Sequence, residues 1–314
     1  MPELPEVEVV RAGLAPALTG ATVTGVEVLD PRALKRHVPV GGSASDGGHG
    51  VTLDAAEGVR RAADFERRVT GLRLLAPRRR GKFLWVPVDG DDRSEPRALL
   101  AHLGMSGQML LRALDAPDDR FVRIRLWIEH PEHGELRLDF ADQRLFGSLA
   151  LDDLIVDGGE PASLPAQASH IARDPLDPLF DDALFVESLL RRSTAVKRAL
   201  LDQRLLSGVG NIYADEALWA ARIHPETAGS ALSERNALGL LAELRAVFTK
   251  ALAEGGTSFD EQYVNVNGQA GYFSRSLHVY GREGEQCHRC RAVIKRIPFG
   301  GRSSHFCPRC QRLH

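Results

Sequence analysis

The pattern Cys287-x2-Cys290, sixteen residues, then Cys307-x2-Cys310 constrains this chain more than any other feature in it. Two CxxC knuckles at that separation supply four thiolates for a closed tetrahedral Zn²⁺ site. Four cysteine ligands leave no open coordination position, so such a zinc is structural. A redox pair is the rival reading, although a thioredoxin-like CxxC would sit in a βαβ pattern. Lys295, Arg296 and Arg302 lie between the knuckles, and Gly300-Gly301 permits a tight hairpin tip. The carboxyl end therefore reads as a zinc ribbon that presents basic side chains.

All four cysteines fall between 287 and 310, which is not how a secreted disulfide framework is distributed. The chain has no apolar run of about 18 residues that would span a membrane. Its start is acidic and lacks a basic-then-apolar secretory pattern. A cytosolic protein is the expectation. With 314 residues, 43% of them hydrophobic, the chain can hold two or three domains with their own cores.

A net charge of −2 argues poorly for a nucleic-acid binder, but the charge is segregated. Residues 151–190 hold nine Asp/Glu against the single Arg173, whereas residues 287–314 hold seven Lys/Arg and no acid. A strongly basic tail is an electrostatic footprint for phosphate.

Hydrophobic periodicity divides the chain. Residues 5–19 read as a helix: Pro5 suits its first turn, Val7, Val10, Leu14 and Leu18 recur at helical spacing, and Gly20 ends it. Strand-like runs follow at 21–29, 69–75, 82–88, 99–103, 121–128, 136–140 and 148–151, separated by turn residues, so an antiparallel sandwich is expected. Residues 41–63, with six glycines, read as a loop insertion without chemistry. A Pro/Asp-rich linker runs from about Asp157 to Pro178. Beyond it the pattern turns helical at 183–191, 195–201, 212–221 and 232–254, and Gly255-Gly256 stops the last helix.

The first six residues, Met1-Pro2-Glu3-Leu4-Pro5-Glu6, carry the sharpest chemical signal. Removal of Met1 would leave Pro2 with a free secondary amine, able to attack an electrophilic carbon and form a Schiff base. An α-amine has a pKa of about 7.7–8.0, so an unprotonated fraction exists near neutral pH. Glu3 adjoins that amine and Glu6 lies one helical turn on, a set of parts for acid/base chemistry. The competing reading is a helix start, with proline at the first position and acids in the first turn.

Other stretches gain meaning beside this one. Leu206-Ser-Gly-Val-Gly-Asn211 through Glu216 is a glycine-rich turn feeding a helix, whose backbone N–H groups suit an anion such as phosphate. Arg78-Arg79-Arg80-Gly81-Lys82 is a basic hairpin that alone reads as a solvated turn. His102-Leu-Gly-Met105-Ser-Gly107 and Asp142-Gln-Arg144-Leu-Phe146-Gly147 flank Met105 and Phe146 with glycines, which favours exposed loop tips over core positions.

MPELPEVEVVR at residues 1–11 resembles the amino terminus of the bacterial formamidopyrimidine-DNA glycosylase family, and the likeness continues to the last residues apart from 41–63. The resemblance implies an α+β multidomain fold. Its parts are an N-terminal antiparallel β-sandwich with an N-terminal helix (2–156), a linker (157–180), a helix–two-turn–helix DNA-binding domain with a lesion loop (181–284) and a zinc-ribbon finger (285–314). It implies a bifunctional glycosylase and abasic-site lyase acting on formamidopyrimidines and 8-oxoguanine. Pro2 matches the nucleophile and Glu3 the proton donor, with Glu6 nearby, while Lys82 lies near the scissile phosphates and Arg302 contacts phosphate and assists the second elimination. Met105, Arg144 and Phe146 match the triad that fills the void left by a flipped base. His102, Arg192 and Asn211 match DNA contacts, and Cys287, Cys290, Cys307 and Cys310 match the ligands of one structural zinc. Residues 255–274 match a segment that closes over the flipped base, and some relatives carry a lysine near Asp260. The implied partner is damaged double-stranded DNA, bound by a monomer in the bacterial cytosol, nucleoid-associated when on DNA, with no membrane.

Two rivals are weighed against this expectation. The endonuclease VIII type prefers oxidised pyrimidines; Leu4, where that family usually has Gly, and the Met105/Arg144/Phe146 set argue against it. A catalytically silent DNA-binding homologue is opposed by intact Pro2, Glu3 and Lys82.

Overall fold

A computed structural model describes residues 2–90, 95–157, 160–257, 266 and 273–313. The chain divides into two compact units: one holds Pro2, residues 6–170 and Val266, the other residues 3–5, 171–257 and 273–313.

The first unit contains most of α1 (Leu4–Leu18), then β1 (Thr22–Val28), α2 (Ala55–Val69), β2 (Arg73–Leu74), β3 (Arg78–Arg80), β4 (Phe83–Asp89), β5 (Arg97–His102), β6 (Gly107–Arg112), β7 (Val122–His130), β8 (Gly134–Asp142), β9 (Ser148–Asp157) and β10 (Glu160–Pro165). The strands form one antiparallel path in the order β10-β9-β5-β4-β2-β1-β7-β8-β6, with β3 paired to β4. Alternation along each strand turns Leu84, Val86, Leu99, Ala101, Ile124, Leu126, Leu138 and Phe140 into the core of the sandwich. The helical stripe Val7, Val10, Leu14 and Leu18 seals that core, and none of the four is more than 1% exposed. Gly20, at φ +96, lets the chain leave the helix for β1.

The glycine-rich reading of 41–63 fails in its second half. From Ala55 the chain forms α2, with Asp54 capping it through Glu57 N–H at 2.8 Å. Residues 55–63 hold only Gly58, and the glycines before them hid an Ala/Glu/Arg-rich helical run. The strand expected from Val69 is correspondingly reduced to Arg73–Leu74. β6 was not foreseen, and β9 and β10 turn the first part of the expected linker into strand.

α2 is tied to residues 34–46 by buried polar bonds. Arg61, 2% exposed, pairs with Glu57 and donates to the carbonyls of Leu34, Lys35 and Asp46. Fully buried His37 accepts the Leu151 N–H at Nδ1, so its other nitrogen, Nε2, donates to Asp64 at 3.1 Å.

The second unit is helical: α3 (Asp182–Leu190), α4 (Val196–Leu201), α5 (Asn211–Ala220) and α6 (Glu234–Ala253), followed by β11 (Lys295–Phe299) and β12 (Arg302–Phe306). Leu4 joins the core built by Leu189, Leu200, Val209, Tyr213, Leu218, Leu244 and Phe248. Asp181 caps α3 and Ser233 caps α6. Gly300 and Gly301, at φ +53 and +77, turn β11 into β12. Positive φ at both central residues is the requirement of a tight two-residue hairpin.

Burial, reinforced by Arg68, pushes the His37 imidazole from 6.5 down to about 4. Unfolding therefore takes up a proton between those values, so stability is complete above pH 6.5 and falls as pH drops toward 4. The loss from this residue should be about 3 kcal/mol. Denaturant melts of the parent and of His37→Gln from pH 7 to 4 should show a shallower acid loss in the variant; parallel profiles would refute the assignment.

Candidate active site and nucleic-acid interface

Pro2 is buried, and Met1 lies outside the described residues. The Glu3 carboxylate, on a residue 2% exposed, accepts N–H bonds from Gly210 at 2.6 Å, Ile212 at 3.0 Å and Tyr213 at 3.4 Å. These are the first N–H groups of α5, which has no side-chain cap of its own. A carboxylate there satisfies donors that the helix leaves open and meets the positive end of its dipole. The glycine-rich turn is thus an anion site, as its sequence suggests, but its anion is Glu3 rather than phosphate. Gly210 is demanded by this contact, since a Cβ would lie 2.4 Å from the Glu3 carboxyl carbon. Gly208 combines φ +90 with a Cβ position 2.7 Å from Leu4. Glu6 is likewise 2% exposed, in the first turn of α1.

α5 also anchors the ribbon. Fully buried Lys197 pairs with Asp215 at 2.7 Å and donates to the Ser303 carbonyl at 3.0 Å. Asn211 Nδ2 donates to the same carbonyl at 3.0 Å. Asp215 accepts Ser304 Oγ and His305 N–H, both at 2.8 Å. Glu216 accepts the N–H groups of His278, Val279 and Tyr280. The strand start that bears exposed Arg302 is therefore fixed from three sides. Sequence reading gave Lys197, Asp215 and Glu216 no role; a lysine inside the apolar run Ala195-Val-Lys-Arg-Ala-Leu-Leu was the available signal. Arg192 pairs with Asp202 at 2.9 Å and keeps about a third of its side chain exposed.

The four cysteine Sγ atoms lie within 4.8 Å of one another. Cys287 and Cys307 are buried, and Trp219 Nε1 donates to Cys287 Sγ at 3.4 Å. Four sulfurs converging at this spacing, one of them already hydrogen-bonded, fit a closed zinc site.

In the first unit, the basic hairpin is mostly spoken for. Arg79 pairs with Glu8 at 2.9 Å and Arg80 with Asp157, both as part of β3, and Lys82 is half-buried just past Gly81. The solvated-turn reading fails because two of its arginines hold carboxylates. His102 packs on Phe83 with ring centroids 4.9 Å apart. Burial, with Arg36, His49, Lys82 and Lys35 adding to it, pushes its imidazole down to about 3. Its Nδ1 accepts the Gly104 N–H at 3.2 Å, so Nε2 carries the hydrogen. His102 is a neutral donor at any working pH.

Met105 is half-buried, whereas Arg144 and Phe146 are exposed, with the Arg144 guanidinium 4.9 Å from the Phe146 ring centre. Their loops are knitted by Asp142, whose carboxylate accepts Ser106 Oγ at 2.5 Å, Arg144 N–H at 3.1 Å and Gly147 N–H at 2.6 Å. Lys35 Nζ donates to the carbonyls of Leu145 and Phe146 at 2.9 and 3.0 Å. Leu145 takes φ +56, and a Cβ on Gly104 would sit 2.5 Å from Gly147 N. Neither Lys35 nor Asp142 was assigned a role from sequence. Asp260 and most of the segment expected to close over a base lie outside the described residues; Val266 is buried and accepts the Leu111 N–H at 3.0 Å.

Residues 1–149 match the formamidopyrimidine-DNA glycosylase N-terminal domain, 171–262 the formamidopyrimidine-DNA glycosylase H2TH domain, and 284–313 the zinc finger found in FPG and IleRS. The chain is 59% identical to the formamidopyrimidine-DNA glycosylase of Leifsonia xyli subsp. xyli, covering 100% of both chains. It is 53% identical to that of a Nocardioides species, over 99% of this chain and 94% of the relative. Among solved structures, Lactococcus lactis Fpg with abasic-site DNA gives a TM-score of 0.77 at 30% identity, covering 99% of each chain. A mutant of that protein with Fapy-dG-containing DNA gives 0.78 at 30% identity, covering 99% of this chain and 100% of the other.

Gly210→Ala forces the Glu3 carboxylate off the start of α5. It should lower base-excision kcat by at least about 100-fold, roughly 2.7 kcal/mol, with zinc content at the parental level. Single-turnover excision at the parental rate would show that the contact has no catalytic consequence.

Proposed function

The chain belongs to the formamidopyrimidine-DNA glycosylase family and is a bifunctional glycosylase and abasic-site lyase for oxidised purines, and from this premise we propose how its residues divide the work. One observation carries the proposal: a buried carboxylate, Glu3, is held by three backbone N–H groups one residue after Pro2. With Met1 removed, the Pro2 amine attacks C1′ of the damaged nucleotide. The bond from C1′ to the base breaks, and the base leaves with its electron pair and is protonated by solvent water. Accepting those N–H bonds, Glu3 is in its acceptor form; it takes the proton that Pro2 sheds on attack and returns it to the ring oxygen as the sugar opens. Glu6 supports this exchange from the first turn of α1. The Schiff base acidifies the neighbouring sugar carbon, so β-elimination expels the 3′ phosphate and δ-elimination the 5′ phosphate, leaving a one-nucleotide gap. Lys82 neutralises phosphate charge and assists proton transfer, and Arg302 assists the second elimination.

Met105, Arg144 and Phe146 fill the space of the extruded nucleotide, Arg144 hydrogen-bonding the orphaned base. His102 serves the backbone as a neutral donor, and Arg192 and Asn211 serve phosphates flanking the lesion. Cys287, Cys290, Cys307 and Cys310 hold the structural zinc, which supplies folding energy to the ribbon and takes no part in bond making. The domain roles follow: sandwich for chemistry, helix–two-turn–helix and ribbon for the duplex. The enzyme acts as a monomer on damaged double-stranded DNA in the bacterial cytosol, associated with the nucleoid.

Borohydride trapping on a duplex with one 8-oxoguanine tests the nucleophile. Retaining Met1 or adding an N-terminal tag should abolish the covalent product; undiminished trapping by a protein with a verified blocked terminus sinks the mechanism. Glu3→Gln should keep near-parental affinity and salt dependence while excision nearly stops, because an amide cannot shuttle the proton. Fast excision from the bound complex with weakened affinity would withdraw Glu3 from the chemistry.

A further inference from the structure

Six arginines are buried among the described residues: Arg36, Arg61, Arg80, Arg97, Arg125 and Arg137. Five pair with a carboxylate, respectively Glu57, Asp157, Asp153 and, for the last two, Asp139. Arg36 does not. It is 9% exposed, its Nε is sealed from solvent without an acceptor, and its guanidinium makes no hydrogen bond to any described group. What it touches is the Phe83 ring, with Cζ 5.2 Å from the centroid. The same ring packs on His102 at 4.9 Å and meets His170 edge-on at 6.0 Å, and Lys82 precedes it in the chain. Lys35, the neighbour on the other side, spends its ammonium on two carbonyls. The carboxylate acting on Arg36 through space is Asp152, whose two oxygens are hydrogen-bonded by Gln167. A largely buried guanidinium beside Lys35 and Lys82, with the nearest carboxylate already hydrogen-bonded by Gln167, has no hydrogen-bonded counter-ion among the described residues.

We infer that Arg36 is a phosphate-binding residue, holding a DNA backbone phosphodiester against the face formed by Phe83, Lys82 and His102. A phosphodiester offers two anionic oxygens to the planar fork of a guanidinium, a charge-assisted pairing that water at a buried site cannot match. The Phe83 ring and the backbone of residues 35–37, bonded to α2 through Arg61, keep the fork in place before the anion arrives. The assignment extends the reading of Lys82 and His102 as backbone contacts and rests on it.

The test uses Arg36→Met, which keeps an unbranched stem over Phe83, and Arg36→Lys, which keeps the charge. Binding of the full-length protein to a duplex with an uncleavable abasic-site analogue is followed across salt concentrations. Arg36→Met should reduce the slope of log K against log salt by about 0.9, and Arg36→Lys should restore it. The melting temperature of free Arg36→Met should equal or exceed the parent's, because an unpaired buried charge has gone; a merely structural arginine would lower it. A parental slope in Arg36→Met overturns the inference, whatever happens to melting. If inorganic phosphate instead raises the melting temperature of the parent but not of Arg36→Met while the slope is unchanged, the residue holds a free anion and the inference is again overturned. Arg302→Ala separates the two levels: a slope lowered there but not in Arg36→Met defeats only the Arg36 assignment. A parent with no salt dependence at all defeats the wider reading of the backbone contacts.

Discussion

The contact between the Glu3 carboxylate and the first N–H groups of α5 is the constraint from which the second unit is built outward. It explains why Gly210 carries no side chain, why Gly208 takes a left-handed conformation over Leu4, and why α5 begins without a cap of its own. It also sets a chemical condition. A carboxylate that already satisfies three donors is fixed in orientation.

Much of this was legible in the chain. The helix stripe of Val7, Val10, Leu14 and Leu18, the paired CxxC knuckles and the Gly300-Gly301 tip each depend on local rules, and each formed where those rules put it. The failures share a cause: they involve partners distant in sequence. Nothing near Gly208 announces that the anion at the helix start will come from Glu3, some two hundred residues away. Nothing near Arg79 and Arg80 announces Glu8 and Asp157. α2 went unread for a different reason: its Ala/Glu/Arg run follows directly on a glycine-rich stretch whose composition masks it. Lys35 and Asp142 escaped because their bonds go to backbone atoms or cross between loops, and neither leaves a sequence pattern.

The near-neutral net charge is resolved by the same bonds. Most buried arginines of the first unit neutralise acids within it, so the sum of charges says little about what remains for a ligand. Desolvated charge is expensive unless paired. The pairing of buried arginines, rather than the sum of charges, shows which positive charges are already committed inside the unit.

α5 holds three obligations at once: its start takes Glu3, Asn211 and Asp215 take β12, and Glu216 takes residues 278–280. Trp219, near its end, hydrogen-bonds a zinc-ligand sulfur. A ten-residue rod thus carries both the Glu3 carboxylate and the footing of the metal ribbon. Thiolates are among the side chains most readily oxidised, and the end of α5 that meets them lies about two and a half helical turns from the end that holds Glu3.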